Sequence, residues 1–195
     1  MKEVLVVVAH PDDELIWMGG TLIRHRDKSD WNTKVLCLTR ASDKDRAPKF
    51  LKACKVLGVK GYIYDLEDNP DKMWSSEDAI KIIKRFCNQT YDLVFTHGRN
   101  GEYGHIAHKQ LNKIINGIID DKILKTRSLM NFAYLKRKNS YQGYAIPHSK
   151  TNNFIKLKNK ELIIKKNLIK DVYGYKEGGF EEKSCNVVES FRKIK

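Results

Sequence analysis

The sequence has 195 residues, of which 41% are hydrophobic and 31% charged, with 37 Lys and Arg against 24 Asp and Glu. This apolar content is sufficient for a hydrophobic core and excludes collagen-like and low-complexity chains. No apolar run approaches the roughly 18 residues that a membrane-spanning helix needs, and only three residues precede the first apolar run. We therefore expect no membrane span, no secretory signal and a cytoplasmic location.

Apolar runs that predict buried strands alternate with segments of helical spacing. The strands are predicted at residues 4–9, 34–39, 61–64 and 91–96, and the helices at 15–26, 44–57, 76–87 and 103–119. This alternation predicts an α/β fold, a Rossmann-like doubly wound, mostly parallel sheet with helices on both faces.

The pattern weakens after residue 121. We predict a strand at 128–135, a short basic helix at 160–170 and a loop at 174–179, and residues 141–147 stay ambiguous. We expect one domain over residues 1–195, with an α/β core at 1–121 and an elaborated C-terminal section at 122–195. The four scattered cysteines, Cys37, Cys54, Cys87 and Cys185, form no Cys-x-x-Cys pair and are expected to be free packing residues.

The first predicted strand runs into His-Pro-Asp-Asp-Glu at residues 10–14. In an open α/β sheet, ligands bind at the carboxyl ends of the strands. One imidazole and three carboxylates repel one another when charged, and a divalent cation relieves that repulsion. His10 and Asp13 suit zinc or a similar borderline metal. A simpler interpretation of the Asp-Asp-Glu group is a helix N-cap with favourable charges.

The fourth predicted strand ends in a second polar motif, Thr-His-Gly-Arg-Asn-Gly-Glu-Tyr-Gly-His-Ile-Ala-His at residues 96–108. His105 and His108 are three residues apart, so they share a face if both lie in the first turn of a helix. Taken alone, this pair is also typical of a solvated helix surface. We interpret His97 as hydrogen-bonding support and Trp17 as a core residue.

Together, the two motifs resemble those of the LmbE-like, or PIG-L, family of zinc-dependent de-N-acetylases, over roughly residues 3–120. The resemblance implies that His10, Asp13 and His108 bind one zinc ion per chain, or another divalent transition metal. It also implies that Asp12 is the general base. His105 then supports the oxyanion and protonates the leaving amine.

The resemblance further implies that Tyr103 assists at the tetrahedral intermediate and that Arg46, Asp68 and Glu14 are candidates for substrate binding. Lys49 stands where the family usually has a glutamate, so the details of sugar recognition differ. The implied activity is hydrolysis of the N-acetyl group of an amino sugar or sugar conjugate by activated water. For this role we expect His105 to be protonated, because its neighbourhood is acidic.

The net charge of +13 lies mainly beyond the resemblance. Residues 122–170 contain 13 Lys and Arg and one acid, Glu161, a net charge of +12 that leaves +1 for the other 146 residues. We interpret this section as the substrate side of the molecule, where Lys136, Arg137 and Lys138 attract an anionic sugar conjugate. A solvated basic surface unrelated to the site is the competing interpretation.

Two other functions stay open. Clusters of His and Asp beside basic segments also suit metal-dependent phosphoester hydrolysis. A protein that binds nucleic acid or another anionic surface would show a steep salt dependence. Nucleic acid is the weaker alternative, because the aromatic residues do not interleave regularly with the lysines. The sequence is compatible with a homo-oligomer.

Overall fold

A seven-stranded mixed sheet lies at the centre of the computed structural model, which describes residues 1–69, 72–137, 143–151 and 153–195. The strands are β1 (Lys2–Val8), β2 (Trp31–Thr39), β3 (Lys60–Leu66), β4 (Thr90–Tyr91), β5 (Leu93–Thr96), β6 (Lys125–Thr126), β7 (Leu129–Phe132), β8 (Tyr134–Lys136), β9 (Ala145–Pro147), β10 (Asn153–Lys156) and β11 (Val188–Lys193). The order in the sheet is β10-β11-β7-β5-β1-β2-β3, and β4–β6 and β8–β9 form separate pairs.

Helices cover both faces of this sheet. They are α1 (Asp13–Lys28), α2 (Arg46–Leu57), α3 (Ser76–Lys84), α4 (Ile106–Asp120), α5 (Asn159–Asn167) and α6 (Phe180–Ser184), with a π-helical turn at Leu168–Val172. The predicted α/β fold with a mostly parallel sheet is confirmed.

The central strand β1 shows why the sheet is buried on both sides. Residues 4–9 are all fully buried. Val4, Val6 and Val8 pack on the side of α1 and α2, whereas Leu5 and Val7 pack on the side of α3 and α4. Successive side chains of a strand point to opposite faces, so a continuous apolar run fits a strand between two helical layers.

Parallel pairing brings the functional motifs to one edge. β1 pairs in parallel with β2 and with β5, and β2 pairs in parallel with β3. The segments after these four strands therefore leave the sheet at the same edge. Both polar motifs start there, since residues 10–14 follow β1 and residues 97–108 follow β5.

The C-terminal section, residues 122–195, extends the same sheet. β7 pairs in parallel with β5, and β11 and β10 add antiparallel strands at that side. Within this section a fully buried ion pair joins Lys165 Nζ to Oε1 of Glu189 at 2.6 Å. Glu189 also accepts hydrogen bonds from the backbone N–H groups of Gly20 and Thr21, at 2.8 and 2.7 Å. These hydrogen bonds join β11 to the middle of α1.

Several element bounds differ from those predicted. The predicted strand at 91–96 is divided into β4 and β5, and the one at 128–135 into β7 and β8. α4 starts at Ile106, because His105 is its N-cap with an extended backbone. His105 therefore lies just outside the helix, but its ring stacks on that of His108, so the two side chains share a face as predicted. Of the ambiguous segment, Ala145–Pro147 is strand, and residues 141 and 142 lie outside the described residues.

Two smaller expectations concern membranes and thiols. Among the helices that the structure describes, none combines the length and apolar character needed to cross a membrane. All four cysteines are free, and three of them, Cys37, Cys54 and Cys185, are buried. This agrees with their predicted role as packing residues.

Candidate functional site

The turn after β1 is held in an unusual backbone conformation. Asp12, the N-cap of α1, has φ 117° and ψ −25°, which residues other than glycine rarely adopt. Its backbone N–H donates to Oε2 of Glu14 at 3.1 Å, and its carbonyl oxygen accepts from the N–H groups of Leu15 and Ile16. These bonds fix the turn and leave the Asp12 side chain on the wall of a cleft.

Potential ligand atoms of three residues meet beside this turn. Nδ1 of His10 lies 3.2 Å from Nε2 of His108 and 3.4 Å from Oδ2 of Asp13. Nε2 of His108 lies 3.4 Å from Oδ1 of Asp13. Metal–ligand bonds of about 2.1 Å in tetrahedral geometry separate two ligand atoms by about 3.4 Å. The observed spacing therefore matches a zinc ligand set.

Other donors lie close to these three. Two overlapping groups have potential ligand atoms within 4.8 Å of one another, and they consist of His10, His105 and His108, and of Asp13, His97 and His108. His97 is already engaged, since its Nε2 accepts from the backbone N–H of Ala9 at 3.1 Å. This contact agrees with the predicted role of His97 as hydrogen-bonding support.

A buried carboxylate that the sequence analysis missed orients His108. Oε2 of Glu102 lies 2.6 Å from Nδ1 of His108 and 3.0 Å from Nδ1 of His97, and Oε1 accepts from the N–H of Gly98 at 2.6 Å. Burial opposes its charge, but His97 and His108 outweigh burial and lower the pKa of Glu102 to about 2. When Nδ1 of His108 donates to this carboxylate, its Nε2 keeps a lone pair that faces Asp13.

The chemistry of the donor set fits zinc. Two imidazole nitrogens and a carboxylate direct lone pairs into one space, which is repulsive without a cation. Such a mixed nitrogen and oxygen set suits zinc, and three protein ligands leave a fourth position open. Trp17 holds the carboxylate of Asp13 in position, because its Nε1 donates to Oδ1 of Asp13 at 2.8 Å. Trp17 is 1% exposed, as expected for a core residue.

Asp12 lies next to these donors and has two partners from distant parts of the chain. The hydroxyl of Tyr175 donates to Oδ2 of Asp12, and Nη1 of Arg46 donates to the same oxygen at 3.2 Å. Burial and the charge of Asp13 raise the pKa of Asp12 to about 7, against the opposing effects of Tyr175 and Arg46. A carboxylate with a pKa near neutrality is suited to general base catalysis.

Arg46 lines the cleft, as expected of a substrate-binding residue. Its guanidinium lies over the ring of Tyr175, 4.9 Å from the centroid, and it also donates to the Tyr175 hydroxyl. Tyr175 was not predicted as a site residue, because residues 174–179 are predicted as a loop and nothing in that segment indicates a contact with the first motif.

Glu14 does not line the cleft. Its side chain is fully buried, and it accepts hydrogen bonds from the hydroxyl of Tyr173 at 2.7 Å and from the N–H of Asp12. Burial raises the pKa of Glu14 to about 8. The expectation that Glu14 contacts substrate is corrected, because the first turn of α1 directs this side chain into the interior.

His105 and Tyr103 form part of the opposite wall of the cleft. The His105 ring stacks on that of His108, with centroids 4.5 Å apart. Burial and the neighbouring imidazoles of His108 and His10 lower the pKa of His105 to about 4. This direction disfavours the protonated His105 that its acidic neighbourhood led us to expect, because burial and the nearby histidines outweigh the acidic residues. A neutral ring still donates one N–H hydrogen bond.

Asp68 lies at the edge of the cleft, between His10 and an arginine. Its Oδ1 is 3.2 Å from Nε2 of His10, and its Oδ2 accepts from Nε of Arg40 at 2.6 Å. The hydrogen bond with His10, together with Arg40, lowers the pKa of Asp68 well below its usual range. The sequence analysis did not single out Arg40.

The cleft has a volume of about 270 Å³ and contains two arginines, Arg40 and Arg46, as its cationic lining. No described residue of 122–170 lines it. Lys136 and Arg137 are exposed elsewhere, and Lys138 lies outside the described residues. The C-terminal contribution to the lining comes instead from Tyr175, Phe180 and Glu181.

Sequence comparisons identify similar proteins. The family model described as PIG-L, GlcNAc-PI de-N-acetylase, matches residues 5–119. A 1D-myo-inositol 2-acetamido-2-deoxy-alpha-D-glucopyranoside deacetylase of Thermobispora bispora is 27% identical over 150 residues, which cover 58% of this chain and 50% of that protein. An N-acetylglucosaminyl-phosphatidylinositol de-N-acetylase of Bos taurus is 26% identical over 130 residues, 58% of this chain and 49% of that protein. The chain spans about half the length of these curated relatives.

Structural comparisons extend the similarity beyond the region that the family model matches. An N,N'-diacetylchitobiose deacetylase from Pyrococcus horikoshii has a TM-score of 0.68 at 18% identity, covering 99% of this chain and 84% of that one. A 4-carboxy-2-hydroxymuconate hydratase from Pseudomonas putida has a TM-score of 0.67 at 16% identity, covering 95% and 83%. At these identities the likeness establishes the fold, and proteins with this fold carry out more than one reaction.

Proposed function

Because this chain belongs to the PIG-L family, whose model matches residues 5–119, we propose that it is a metal-dependent amide hydrolase. Its substrate is an N-acetylated amino sugar or sugar conjugate, from which it releases acetate. The observation that carries this proposal is that donor atoms of His10, Asp13 and His108 lie 3.2 to 3.4 Å apart, beside the buried carboxylate of Asp12, at a single cleft.

His10, Asp13 and His108 are the residues that we propose as zinc ligands. Zinc, when bound, supplies Lewis acidity toward the amide carbonyl and toward water. The buried carboxylate of Glu102 orients His108 for metal binding, since it fixes which ring nitrogen carries the proton.

Asp12 accepts the proton of the attacking water in this proposal. Its side chain is adjacent to a ligand but makes its own contacts with Tyr175 and Arg46. The water oxygen forms a bond to the carbonyl carbon, the carbon–nitrogen bond breaks, and the departing amine takes up the proton that Asp12 received. The new carboxyl group gives up the second proton of the water to the amine, so the products are acetate and the amino sugar in its ammonium form.

His105 and Tyr103 face the same cleft and are the proposed hydrogen-bond donors to the carbonyl oxygen. A preorganised donor at an oxyanion is worth about 3 to 4 kcal/mol. Donation from neutral His105 is consistent with its lowered pKa. In this proposal Asp12, and not His105, delivers the proton to the departing amine.

Acetate release tests the proposal. Purified protein loaded with Zn²⁺ is incubated with N-acetylglucosamine, its inositol conjugate, its phosphate and UDP derivatives, and chitooligosaccharides. We expect acetate and free amine in equal amounts from at least one compound, and none with the chelated protein or with His108→Ala. Release of phosphate without acetate would identify the alternative phosphoester hydrolase, and absence of acetate from every compound with metal bound would contradict the proposal.

A further inference from the structure

The two ring nitrogens of His10 face different groups. Nδ1 points into the donor set, 3.2 Å from Nε2 of His108 and 3.4 Å from Oδ2 of Asp13. Nε2 points the opposite way and lies 3.2 Å from Oδ1 of Asp68. A neutral imidazole carries one proton. If Nε2 carries it and donates to Asp68, Nδ1 keeps the lone pair that a metal ion requires.

Asp68 is itself held by a neighbour. Nε and Nη2 of Arg40 both lie 2.6 Å from Oδ2 of Asp68, which leaves Oδ1 for His10. Arg40 has φ 67°, in the left-handed region that is uncommon for residues with a β-carbon. Arg40 comes directly after β2, and its guanidinium reaches Asp68 in the loop after β3.

The sheet order explains why these three side chains meet. His10 follows β1, Arg40 follows β2 and Asp68 follows β3. The three strands are neighbours and run in parallel, so their carboxyl ends lie side by side at one edge. The series from Arg40 through Asp68 to His10 therefore runs along the edge of the sheet and ends at the donor set.

We propose that Asp68 and Arg40 are positioning residues that fix the ring orientation and the protonated nitrogen of His10 for metal binding. This inference rests on the proposed function only in taking His10 as a metal ligand. It departs from the role implied by family resemblance, in which Asp68 contacts substrate. Loss of a carboxylate that orients a ligating histidine typically reduces metal affinity 10- to 100-fold.

Metal affinity without substrate provides the test. The dissociation constants of the purified protein for Zn²⁺ and Co²⁺ are measured by competition with a chromophoric chelator, for wild type, Asp68→Asn, Arg40→Met and Glu67→Gln. Glu67 is the matched control, because it precedes Asp68, pairs with Lys72 at 3.2 Å and has a side chain that is 66% exposed. Glu67→Gln removes the same charge from the same loop.

We expect Asp68→Asn to weaken metal binding about 10- to 100-fold, Arg40→Met to weaken it less, and Glu67→Gln to match wild type. The absorption spectrum of bound Co²⁺ should change in Asp68→Asn and not in the control, since the His10 ring loses its orienting partner. Arg40→Met retains the Asp68 carboxylate and removes only the guanidinium that contacts it. This variant therefore tests the arrangement of Arg40, Asp68 and His10 even if Asp68→Asn folds poorly.

An unchanged metal affinity in both Asp68→Asn and Arg40→Met would overturn the inference. If Asp68→Asn raises the KM of acetate release and leaves the metal affinity unchanged, Asp68 contacts substrate instead. A wild-type protein that binds neither ion would also contradict it, since His10 would not be a ligand. If the expected affinity changes occur and no acetate is released from any substrate, the positioning role stands and the proposed deacetylase activity fails.

Discussion

The hydroxyl of Tyr175 donates a hydrogen bond to Oδ2 of Asp12, a residue 163 positions earlier in the chain. Tyr173, two residues before it, donates to Glu14 at 2.7 Å. The C-terminal segment thus contacts both the central residue of the turn, which has φ 117°, and the residue two positions after it. Residues in such conformations persist where surrounding contacts fix them. The C-terminal section, residues 122–195, therefore helps to build the site.

Replacement of Tyr175 by phenylalanine tests this contact. A hydrogen bond to a charged group contributes about 1.5 to 3 kcal/mol, so we expect the kcat of acetate release by Tyr175→Phe to fall about tenfold or more. The control is Tyr62→Phe, at a tyrosine that is 37% exposed. Steady-state kinetics measure the difference, and a Tyr175→Phe enzyme with the wild-type kcat would contradict the role of this hydroxyl.

Glu102 is predicted to support metal binding through the ligand that it orients, His108. Glu102→Gln removes the charge beside His108 and His97, and we expect a 10- to 100-fold loss of zinc affinity. Glu177→Gln, at an exposed position, should leave the affinity unchanged. Chelator competition measures both variants. Equal zinc affinity of Glu102→Gln and wild type would show that His108 needs no carboxylate partner.

The sequence predicts the part of the site that its two motifs carry. Residues after β1 and β5 had to meet, because those parallel strands end at one edge of the sheet. Asp12, His10 and His108 are brought together in this way. The sequence motif is local, and the sheet supplies the long-range contact.

The remainder of the site could not be predicted, because long-range packing determines it. Tyr175 reaches Asp12 from a loop, with no periodicity or spacing that marks it. Arg40 contacts Asp68 from a position with a left-handed backbone conformation. Nothing in the amino-acid composition reveals that conformation. Glu14 belongs to the first motif, but only the direction of α1 shows that it is buried. The basic residues of 122–170 were assigned to the substrate side from charge alone, and the described ones do not line the cleft, whereas Tyr175, Phe180 and Glu181 of the same C-terminal section do.

The buried ion pair in the C-terminal section makes a prediction about stability. Glu189→Gln leaves the fully buried Lys165 without its partner, and breaking such a pair costs about 3 to 5 kcal/mol. The matched control is Glu182→Gln, since the side chains of Lys166 and Glu182 are 43% and 20% exposed. We expect that change to cost about 1 kcal/mol or less. Urea unfolding measures both, and equal losses would contradict the contribution of burial.

Two helical glycines are predicted to respond in opposite ways to alanine. A β-carbon at Gly20 would lie 2.4 Å from both Cδ1 and Cδ2 of the buried Leu157, whereas one at Gly117 meets nothing within 4 Å. Gly20→Ala should therefore lower the free energy of unfolding by about 1 to 3 kcal/mol. Gly117→Ala should raise it by about 0.5 to 1 kcal/mol, because alanine is the better helix former. Thermal or urea unfolding that ranks the two variants in the reverse order would contradict this packing.

The central claim is that Asp12 is the base of a metal-dependent deacetylase while His10, Asp13 and His108 hold the metal. The most direct measurement compares zinc content and acetate release of wild type and Asp12→Asn on the best substrate. We predict equal zinc content and a loss of about 10²- to 10⁴-fold in kcat, the usual contribution of a general base. An Asp12→Asn enzyme that binds zinc and keeps near wild-type turnover would contradict the account.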